Sequence, residues 1–240
     1  MSESRIATAK ANPGKIDDFT CNDCPVRDRM LFAGIDLRGT EDLLRPVRHL
    51  WYEPGETIYH QGGEACALYS VRRGVVKLSS SSPDGDVRIV RLLGPGFTIG
   101  LEALVEDAYE HQASALSMVD VCRIPADAVQ KLARDQPPLC RRLMQQWHDQ
   151  LQQADAHLTE LTTGVVRERV LRLIHILDDF GRSGDTEFYL PSNQDCAALV
   201  AARVESVSRV MASLKRAGYL VRVPSGGWRL DRSRDPAAKE

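Results

Sequence analysis

The sequence predicts an α+β protein in which a roll of short β-strands is followed by a long helix and a small C-terminal helical domain. Two patterns carry this prediction. Turns rich in glycine and proline break residues 37–136 into short apolar and β-branched runs, which is typical of an all-β roll. From Pro137 onward, apolar residues recur at steps of three and four, as on amphipathic helices. We therefore expect an N-terminal extension at 1–36, the roll at 37–136, the long helix at 137–163 and the helical domain at 164–240.

Composition and motif content narrow the class of protein. Hydrophobic residues make up 43% of the 240-residue chain and charged residues 27%, the balance of a globular protein. No apolar run approaches the roughly 18 residues that cross a bilayer, and residues 1–15 lack the apolar core of a secretion signal. We expect a cytoplasmic protein without membrane contact. The sequence has no serine-histidine-acid set, phosphate loop or HExxH motif, so we expect no enzyme.

Charge distinguishes the two ends of the chain. The formal net charge is only −2, which by itself does not indicate a nucleic-acid partner. Acidic residues crowd the N-terminal half, whereas the C-terminal region carries many basic ones, among them Arg203, Arg209, Lys215, Arg222 and Arg229. A basic end on a nearly neutral protein is consistent with phosphate binding at that end.

The long helix carries a narrow apolar seam with polar flanks. After the first pair, its members recur at alternating steps of four and three, the spacing of a coiled coil. They are Leu143, Trp147, Leu151, Ala154, Leu158 and Leu161. A second copy of the chain is the simplest partner for such a seam, which predicts a homodimer. The alternative is a helix that buries this stripe on its own domain.

The C-terminal domain has the pattern of two helices joined by a tight turn. Ser192, with Asp195 three residues later, is the capping-box signature of a short helix that runs through Ala201. A second helix follows from about Val204 to Ala217. Residues 219–223 and 228–230 then flank a glycine-containing turn, which predicts a β-hairpin wing.

The second of these helices presents polar side chains opposite its apolar face. Glu205, Ser208 and Arg209 share one surface near its N-terminus, where a recognition helix touches base edges. Arginine donates a bidentate pair to guanine, and glutamate accepts from the amino group of cytosine. The pattern predicts a DNA-reading winged helix-turn-helix. The alternative is a protein-contact domain in which Glu205 and Arg209 form a surface ion pair.

Over nearly its whole length the chain resembles the CRP/FNR superfamily of transcription regulators. The motifs that carry the resemblance are Tyr59-His60-Gln61-Gly62, Leu68–Gly74 and Gly94–Gly100 in the roll, and Gln194-Asp195 and Val204–Arg209 in the helix-turn-helix. The resemblance implies a homodimer with a cyclic-nucleotide-binding-like roll, a dimerisation helix and winged-helix DNA binding. It also implies contact with RNA polymerase.

Within the superfamily, the resemblance is to the FNR-like branch. Val204 stands where cyclic-AMP receptors carry an arginine, which implies TTGAT-type palindromic half-sites read by Glu205, Ser208 and Arg209. Arg203, Ser206 and Lys215 are further candidate DNA contacts. Members that bind cyclic AMP place an Arg-Ser pair where this chain has Tyr109 and Glu110. An acidic residue repels a phosphate, so we expect no cyclic AMP.

The cysteines resemble those of the oxygen-sensing branch, which holds an iron–sulfur cluster on four cysteines. Cys21-x2-Cys24-Pro25 and Cys122 match, whereas residues such as Met30 and Phe32 stand where a third ligand follows the pair. Cys66, Asp28 and Asp36 are candidates for the missing ligand. The resemblance thus predicts a response to oxygen, redox state or nitric oxide through a cluster. Alternatives are a thiol redox switch, zinc with a histidine, an organic effector, a regulator without a sensor, and, ranked lower, haem on His49, His60 or His111.

Overall fold

The computed structural model describes residue 21 and residues 26–81, 87–182 and 187–234. The chain divides into two compact units, Met1–Gln152 and Gln153–Glu240. Antiparallel sheet in the first unit and mostly helix in the second confirm the α+β class. The division falls within the long helix, so the four predicted segment boundaries stay predictions. In the described residues, no helix combines the length and apolarity that a membrane span needs.

Eight strands of the first unit form two four-stranded antiparallel sheets. In chain order they are β1 (Arg48–Tyr52), β2 (Thr57–Tyr59), β3 (Ala67–Arg73), β4 (Val76–Ser81), β5 (Val87–Leu93), β6 (Thr98–Ile99), β7 (Gln112–Ala115) and β8 (Val119–Pro125). One sheet has the order β1-β8-β3-β6 and the other β2-β7-β4-β5. A short helix, α1 (Glu41–Leu44), precedes the strands. This is the roll that the turn spacing predicted.

The core of the first unit also contains part of the N-terminal extension. Met30, Leu31, Phe32, Ile35 and Leu37 are buried and belong to the same apolar cluster as the strands. A 3-10 turn at Arg27–Arg29 precedes them. The end of the extension is therefore packed on the roll, because its apolar residues supply core that the strands alone do not.

Two helices follow the roll, α2 (Ala126–Asp135) and α3 (Pro137–Glu160). Two buried glutamines of α3 hold it against strand β6. The Gln146 side chain accepts from the Thr98 amide at 3.1 Å and donates to the Gly96 carbonyl at 2.9 Å. Gln150 donates to the Thr98 carbonyl at 2.7 Å. Buried amides with such partners fix the rotation of the helix, since turning it would leave them without hydrogen bonds.

The second unit contains three helices and a hairpin. They are α4 (Val166–Arg182), α5 (Asn193–Leu199), α6 (Val204–Arg216), β9 (Leu220–Arg222) and β10 (Trp228–Leu230). The apolar faces of α4 and α6 are buried, as at Leu173, Ile174, Val207 and Met211. The hairpin is antiparallel and pairs Trp228 with Arg222. The unit therefore has the elements of a winged helix-turn-helix.

Candidate functional site

The N-terminus of α5 is capped as its sequence predicts. The Asp195 amide donates to the Ser192 hydroxyl at 3.0 Å, and that hydroxyl donates to the Asp195 carboxylate at 2.8 Å. The returning bond is therefore made between the two side chains. An N-cap of this kind typically contributes about 1 kcal/mol to helix stability.

The turn between α5 and α6 is held by an arginine from another helix. Ala201 adopts a left-handed conformation with a φ of 47°, which is unfavourable for a residue with a Cβ. The guanidinium of Arg169, on α4, donates to the Val200 carbonyl at 2.6 Å and the Ala201 carbonyl at 3.2 Å. No local sequence pattern singles out Arg169, because its role appears only when α4 packs beside the turn.

The predicted base-reading side chains lie on the open surface of α6. Glu205 and Arg209 are exposed and Ser208 is half-buried. No ion pair joins Glu205 to Arg209 among the residues that the structure describes. Both side chains are thus available to a ligand, which disfavours the alternative of a paired, structural role.

The other predicted DNA contacts lie at the two ends of α6. Arg203 precedes the helix with extended backbone and is exposed, and Ser206 is half-buried in the first turn. Lys215 is in the last turn, with its ammonium 4.4 Å from the centre of the Trp228 ring on the hairpin. Arg222 approaches the same ring at 5.9 Å. Cation–π contacts of this kind hold basic side chains between recognition helix and wing.

The C-terminal end of the described chain is tied to α4. Arg232 donates to the buried carboxylate of Asp178 at 2.9 Å. The hydroxyl of Tyr219, the residue before β9, lies 2.7 Å from a ring nitrogen of His175. No local sequence pattern predicts either contact, since each joins residues more than a helix apart in the chain.

Half of the predicted seam of α3 is exposed. Trp147 is 46% exposed, Leu151 55% and Leu158 68%, and Ala154 is half-buried. Met144 is also exposed and lies three residues before Trp147, on the same face. Leu143 instead packs against the core of the first unit, and Leu161 is buried beyond the end of the helix. We call the following five residues together the apolar stripe: Met144, Trp147, Leu151, Ala154 and Leu158.

The interior of the roll is filled by aromatic side chains next to the residues that replace the phosphate-binding pair. The rings of Tyr59 and Tyr109 stack with centres 3.9 Å apart. The Tyr109 hydroxyl donates to the Ala67 carbonyl at 2.7 Å. Gly100 adopts a φ of 74°, and a Cβ there would meet the Tyr109 ring at 3.1 Å. Glu110 is exposed beside this packed region, where it leaves a net negative charge.

A buried carboxylate accompanies the tyrosines. Burial raises the pKa of Glu102, and the nearby charge of Glu110 raises it further, whereas hydrogen bonds from the Glu102 and Glu110 backbone and the charge of Arg91 oppose the shift. One carboxylate oxygen of Glu102 is buried without a hydrogen-bond partner, as is the Tyr59 hydroxyl. This region carries unsatisfied polar groups whose charged forms are disfavoured.

The structure brings two of the predicted ligand cysteines to one place. Cys21 and Cys122 both line a cavity of about 30 Å³ between the N-terminal segment and the first sheet. Cys24 lies outside the described residues. Cys66 is exposed, does not line this cavity, and accepts a hydrogen bond from the Arg123 guanidinium at 3.4 Å. Asp36 is exposed, and hydrogen bonding from Arg38 lowers the pKa of its carboxyl to about 2; Asp28 is exposed too.

Among the described residues, Cys21 and Cys122 are two of the four cysteines that an iron–sulfur cluster takes. In the described part of the chain, no three histidine, cysteine, aspartate or glutamate side chains gather as a metal site. A cavity of about 30 Å³ has room for one or two water-sized atoms, far less than a cubane needs. Of the haem candidates, His49 has its ring Nδ1 3.1 Å from the Arg72 guanidinium, His60 is exposed, and burial lowers the pKa of His111.

Comparison with known proteins shows which family the chain is similar to. The model of the cyclic nucleotide-binding domain matches residues 49–136. The nitrogen fixation regulation protein FixK of Bradyrhizobium diazoefficiens is 26% identical over 89% of this chain and 91% of its own length. The transcriptional regulator LdrP of Thermus thermophilus is 32% identical over 69% of this chain and 83% of its own. A solved CRP-family transcriptional regulator from that organism matches with a TM-score of 0.62 and 27% identity, over 78% of this chain and 93% of the other.

The chain contains a roll of two antiparallel sheets, a long helix and a helix-turn-helix with a hairpin. This combination of elements defines a bacterial-type transcription regulator. The similarity to LdrP and FixK agrees with this class and extends over most of both proteins. The chain belongs to the CRP/FNR family. Its relatives are transcription regulators and not enzymes.

Proposed function

We propose that the protein is a homodimeric regulator that binds a palindromic DNA sequence through α6, with TTGAT-like half-sites. The observation that carries this proposal is the set of Glu205, Ser208 and Arg209 on the surface of α6, with Glu205 and Arg209 exposed and not paired with each other. An exposed guanidinium and carboxylate near the start of a recognition helix are the groups that read guanine and cytosine edges.

The contacts to the DNA backbone follow from the ends of α6. Arg203 lies at the helix N-terminus, where the helix dipole also favours a phosphate, and Ser206 adds a hydroxyl in the first turn. Lys215, held over Trp228, is positioned for a second phosphate on the wing side. These contacts orient the helix in the groove but carry no base specificity.

Dimerisation is proposed to use the apolar stripe of α3. Met144, Trp147, Leu151, Ala154 and Leu158 recur at alternating steps of three and four, which is the spacing that packs two helices as a coiled coil. A neighbouring face of α3, about a quarter-turn away, is held to the roll by Gln146 and Gln150, and this leaves most of the stripe exposed. A two-fold dimer then presents two copies of α6 to the two half-sites of a palindrome. RNA polymerase is the further partner that the family resemblance implies.

Cyclic AMP is not proposed as the effector. Tyr59 and Tyr109 stack inside the roll. Glu110 adds a negative charge at a position where members that bind cyclic AMP carry part of the phosphate-binding Arg-Ser pair. The sensing of oxygen, redox state or nitric oxide through Cys21, Cys24 and Cys122 stays a prediction from the resemblance. Absorbance, iron and sulfide content of protein purified without oxygen will decide it: a brown, air-sensitive protein supports a cluster, and colourless protein leaves a thiol switch or an organic ligand.

The DNA-binding proposal is tested by replacing Arg209 with alanine. We expect specific binding to weaken by about 1–3 kcal/mol for each base interaction that the substitution removes, whereas nonspecific binding changes little. The measurement is the fluorescence anisotropy of a labelled duplex with an inverted TTGAT repeat, against a scrambled duplex. Arg216→Ala, which removes an exposed arginine from the other end of the same helix, is the matched control. Equal weakening in both variants, or unchanged specificity in Glu205→Ala/Arg209→Ala, contradicts the assignment of α6.

A further inference from the structure

The backbone carbonyls in the last turn of α3 all have hydrogen-bond donors. A helix leaves its last four carbonyls without partners of its own, so other groups must satisfy them. Three of the four accept from donors four residues later in the chain, namely the Leu161 amide and the hydroxyls of Thr162 and Thr163. The carbonyl of Glu160, the last residue of α3, instead accepts from the Arg172 guanidinium at 2.7 Å.

Arg172 belongs to α4, the next helix in the chain. The same nitrogen, Nη1, also donates to the Thr163 carbonyl at 2.9 Å, in the turn between the two helices. Its Nη2 lies 3.4 Å from the carboxylate of Glu168, one turn earlier on α4. A cation is favourable at the carbonyl end of a helix, where the helix dipole is negative. Arg172 therefore ties the end of α3 and the turn to α4.

The turn that Arg172 spans contains a glycine in a left-handed conformation. Gly164 has a φ of 85°, which glycine adopts at little cost. A Cβ at this position would lie 2.6 Å from the Glu168 carboxylate and 3.6 Å from the Arg172 guanidinium. Glycine also has more backbone freedom than any other residue. Arg172 thus bridges the residue at which the two helices could most easily change their angle.

The angle at this joint bears on how a dimer presents α6. The apolar stripe ends at Leu158, two residues before the end of α3. Arg169, on α4, holds the turn that leads into α6. The path from the stripe to α6 therefore passes through the joint between α3 and α4, and all of these residues lie in the second unit.

DNA geometry makes this angle consequential. One base pair more or less between two half-sites displaces them by about 3.4 Å and rotates them by about 35°. A dimer with a rigid joint can place both copies of α6 in the groove for few spacings only. A dimer with a flexible joint can adapt to several spacings, but it loses conformational entropy on binding.

From these contacts we propose that Arg172 is a positioning residue that selects the spacing between the two half-sites. It acts by holding the end of α3 and α4 at one angle, not by contact with the DNA. The inference rests on the proposed function, because it requires the dimer and its palindromic site. It adds to that function a preference for one half-site spacing, which base contacts by α6 do not supply.

Binding to duplexes with different spacers tests this role. Fluorescence anisotropy is measured with inverted TTGAT repeats whose spacer is shortened or lengthened by single base pairs. We expect the unaltered protein to prefer one spacer by roughly 5- to 100-fold, comparable to the effect of a mismatched base pair. In Arg172→Ala this preference should shrink to a few-fold at most. Arg172→Lys, which keeps the charge but not the planar fork, should be intermediate. Arg167→Ala, an exposed arginine of the same helix, is the matched control and should keep the preference.

A second measurement follows the joint without DNA. Spin labels on ketone-bearing amino acids, introduced at the exposed positions of Asp155 on α3 and Asp179 on α4, report the distance across the joint. Dimers are diluted with unlabelled subunits so that only distances within one chain contribute. We expect a narrow distance distribution in the unaltered protein and a broader one in Arg172→Ala.

The outcomes separate this inference from the proposed function. An Arg172→Ala protein that melts at a lower temperature but keeps the spacer preference overturns the inference, since Arg172 then only stabilises the fold. A distance distribution that stays narrow in Arg172→Ala overturns it as well. Unaltered protein that does not distinguish a TTGAT repeat from scrambled DNA refutes the proposed function, and with it the selection of spacing. A broader distribution in Arg172→Ala would then still show that Arg172 holds the joint.

Discussion

At the scale of single residues, the polar groups inside the roll differ in how far their hydrogen bonds are satisfied. Tyr109 fills the interior and satisfies its hydroxyl on the Ala67 backbone. Glu102 has no comparable arrangement, because one of its oxygens is buried without a partner. Its carboxylate is therefore destabilised by the fold at neutral pH.

This destabilisation gives a prediction for Glu102→Gln. Because burial raises the pKa of Glu102 in the folded state, the unfolded chain ionises first as pH rises. Stability is therefore lost above the unfolded pKa of roughly 4.3, until the folded group also ionises. Glu102→Gln should raise the thermal midpoint at pH 7, and the gain should shrink towards pH 4. Thermal melts across this range check it, with Glu106→Gln as the exposed control; an equal gain at all pH values contradicts the assigned cause.

The surface residues of α6 were within reach of sequence reasoning. Their positions follow from helical periodicity alone, since Val207, Met211 and Leu214 must face the core and therefore leave Glu205 and Arg209 outside. The residue that positions them could not be predicted from the sequence. Arg169 is one of many arginines in the chain, and nothing local marks it as the donor to the turn at Ala201.

At the scale of elements, the α4–α5–α6 arrangement depends on that arginine. Arg169→Ala removes two charge-assisted hydrogen bonds from the turn. Bonds of this type are worth about 1.5–3 kcal/mol each. We expect a lower urea midpoint and weaker binding to specific DNA, because α6 loses its fixed orientation. The exposed Arg167→Ala on the same helix is the control, and equal behaviour of the two variants would show that the turn needs no support.

Two faces of the long helix α3 differ in their surroundings: one packs on the roll and the other is exposed. Gln146 and Gln150 are polar residues of a kind usually found in solvent, yet they are buried on β6. Apolar residues such as Trp147 and Leu151 are exposed instead. Periodicity predicted an apolar seam, but it placed Leu143 and Leu161 in it. The structure buries Leu161 beyond the end of the helix and packs the partly buried Leu143 against the core of the first unit.

At the scale of the whole molecule, the apolar stripe is the surface that predicts assembly. Leu151→Glu places a charge at the centre of the stripe and should convert the dimer to a monomer, since a buried unpaired carboxylate is costly. Analytical ultracentrifugation measures the change. Gln152→Glu adds the same charge to the neighbouring exposed position and should leave the dimer intact. A Leu151→Glu protein that remains dimeric, or an unaltered protein that is monomeric, contradicts the proposed interface.

Much of this protein was determined by local sequence. Turn spacing predicted the roll, helical periodicity predicted α3 and α6, and the spacing of Ser192 and Asp195 predicted the cap of α5, because these depend on residues a few positions apart. The tertiary structure decided the rest. It brought Cys21, Met30 and Cys122 to one cavity, left Cys66 exposed beside Arg123, and placed Arg169 on the turn. These contacts join residues far apart in the chain, and no local pattern encodes which of them meet when strands and helices pack.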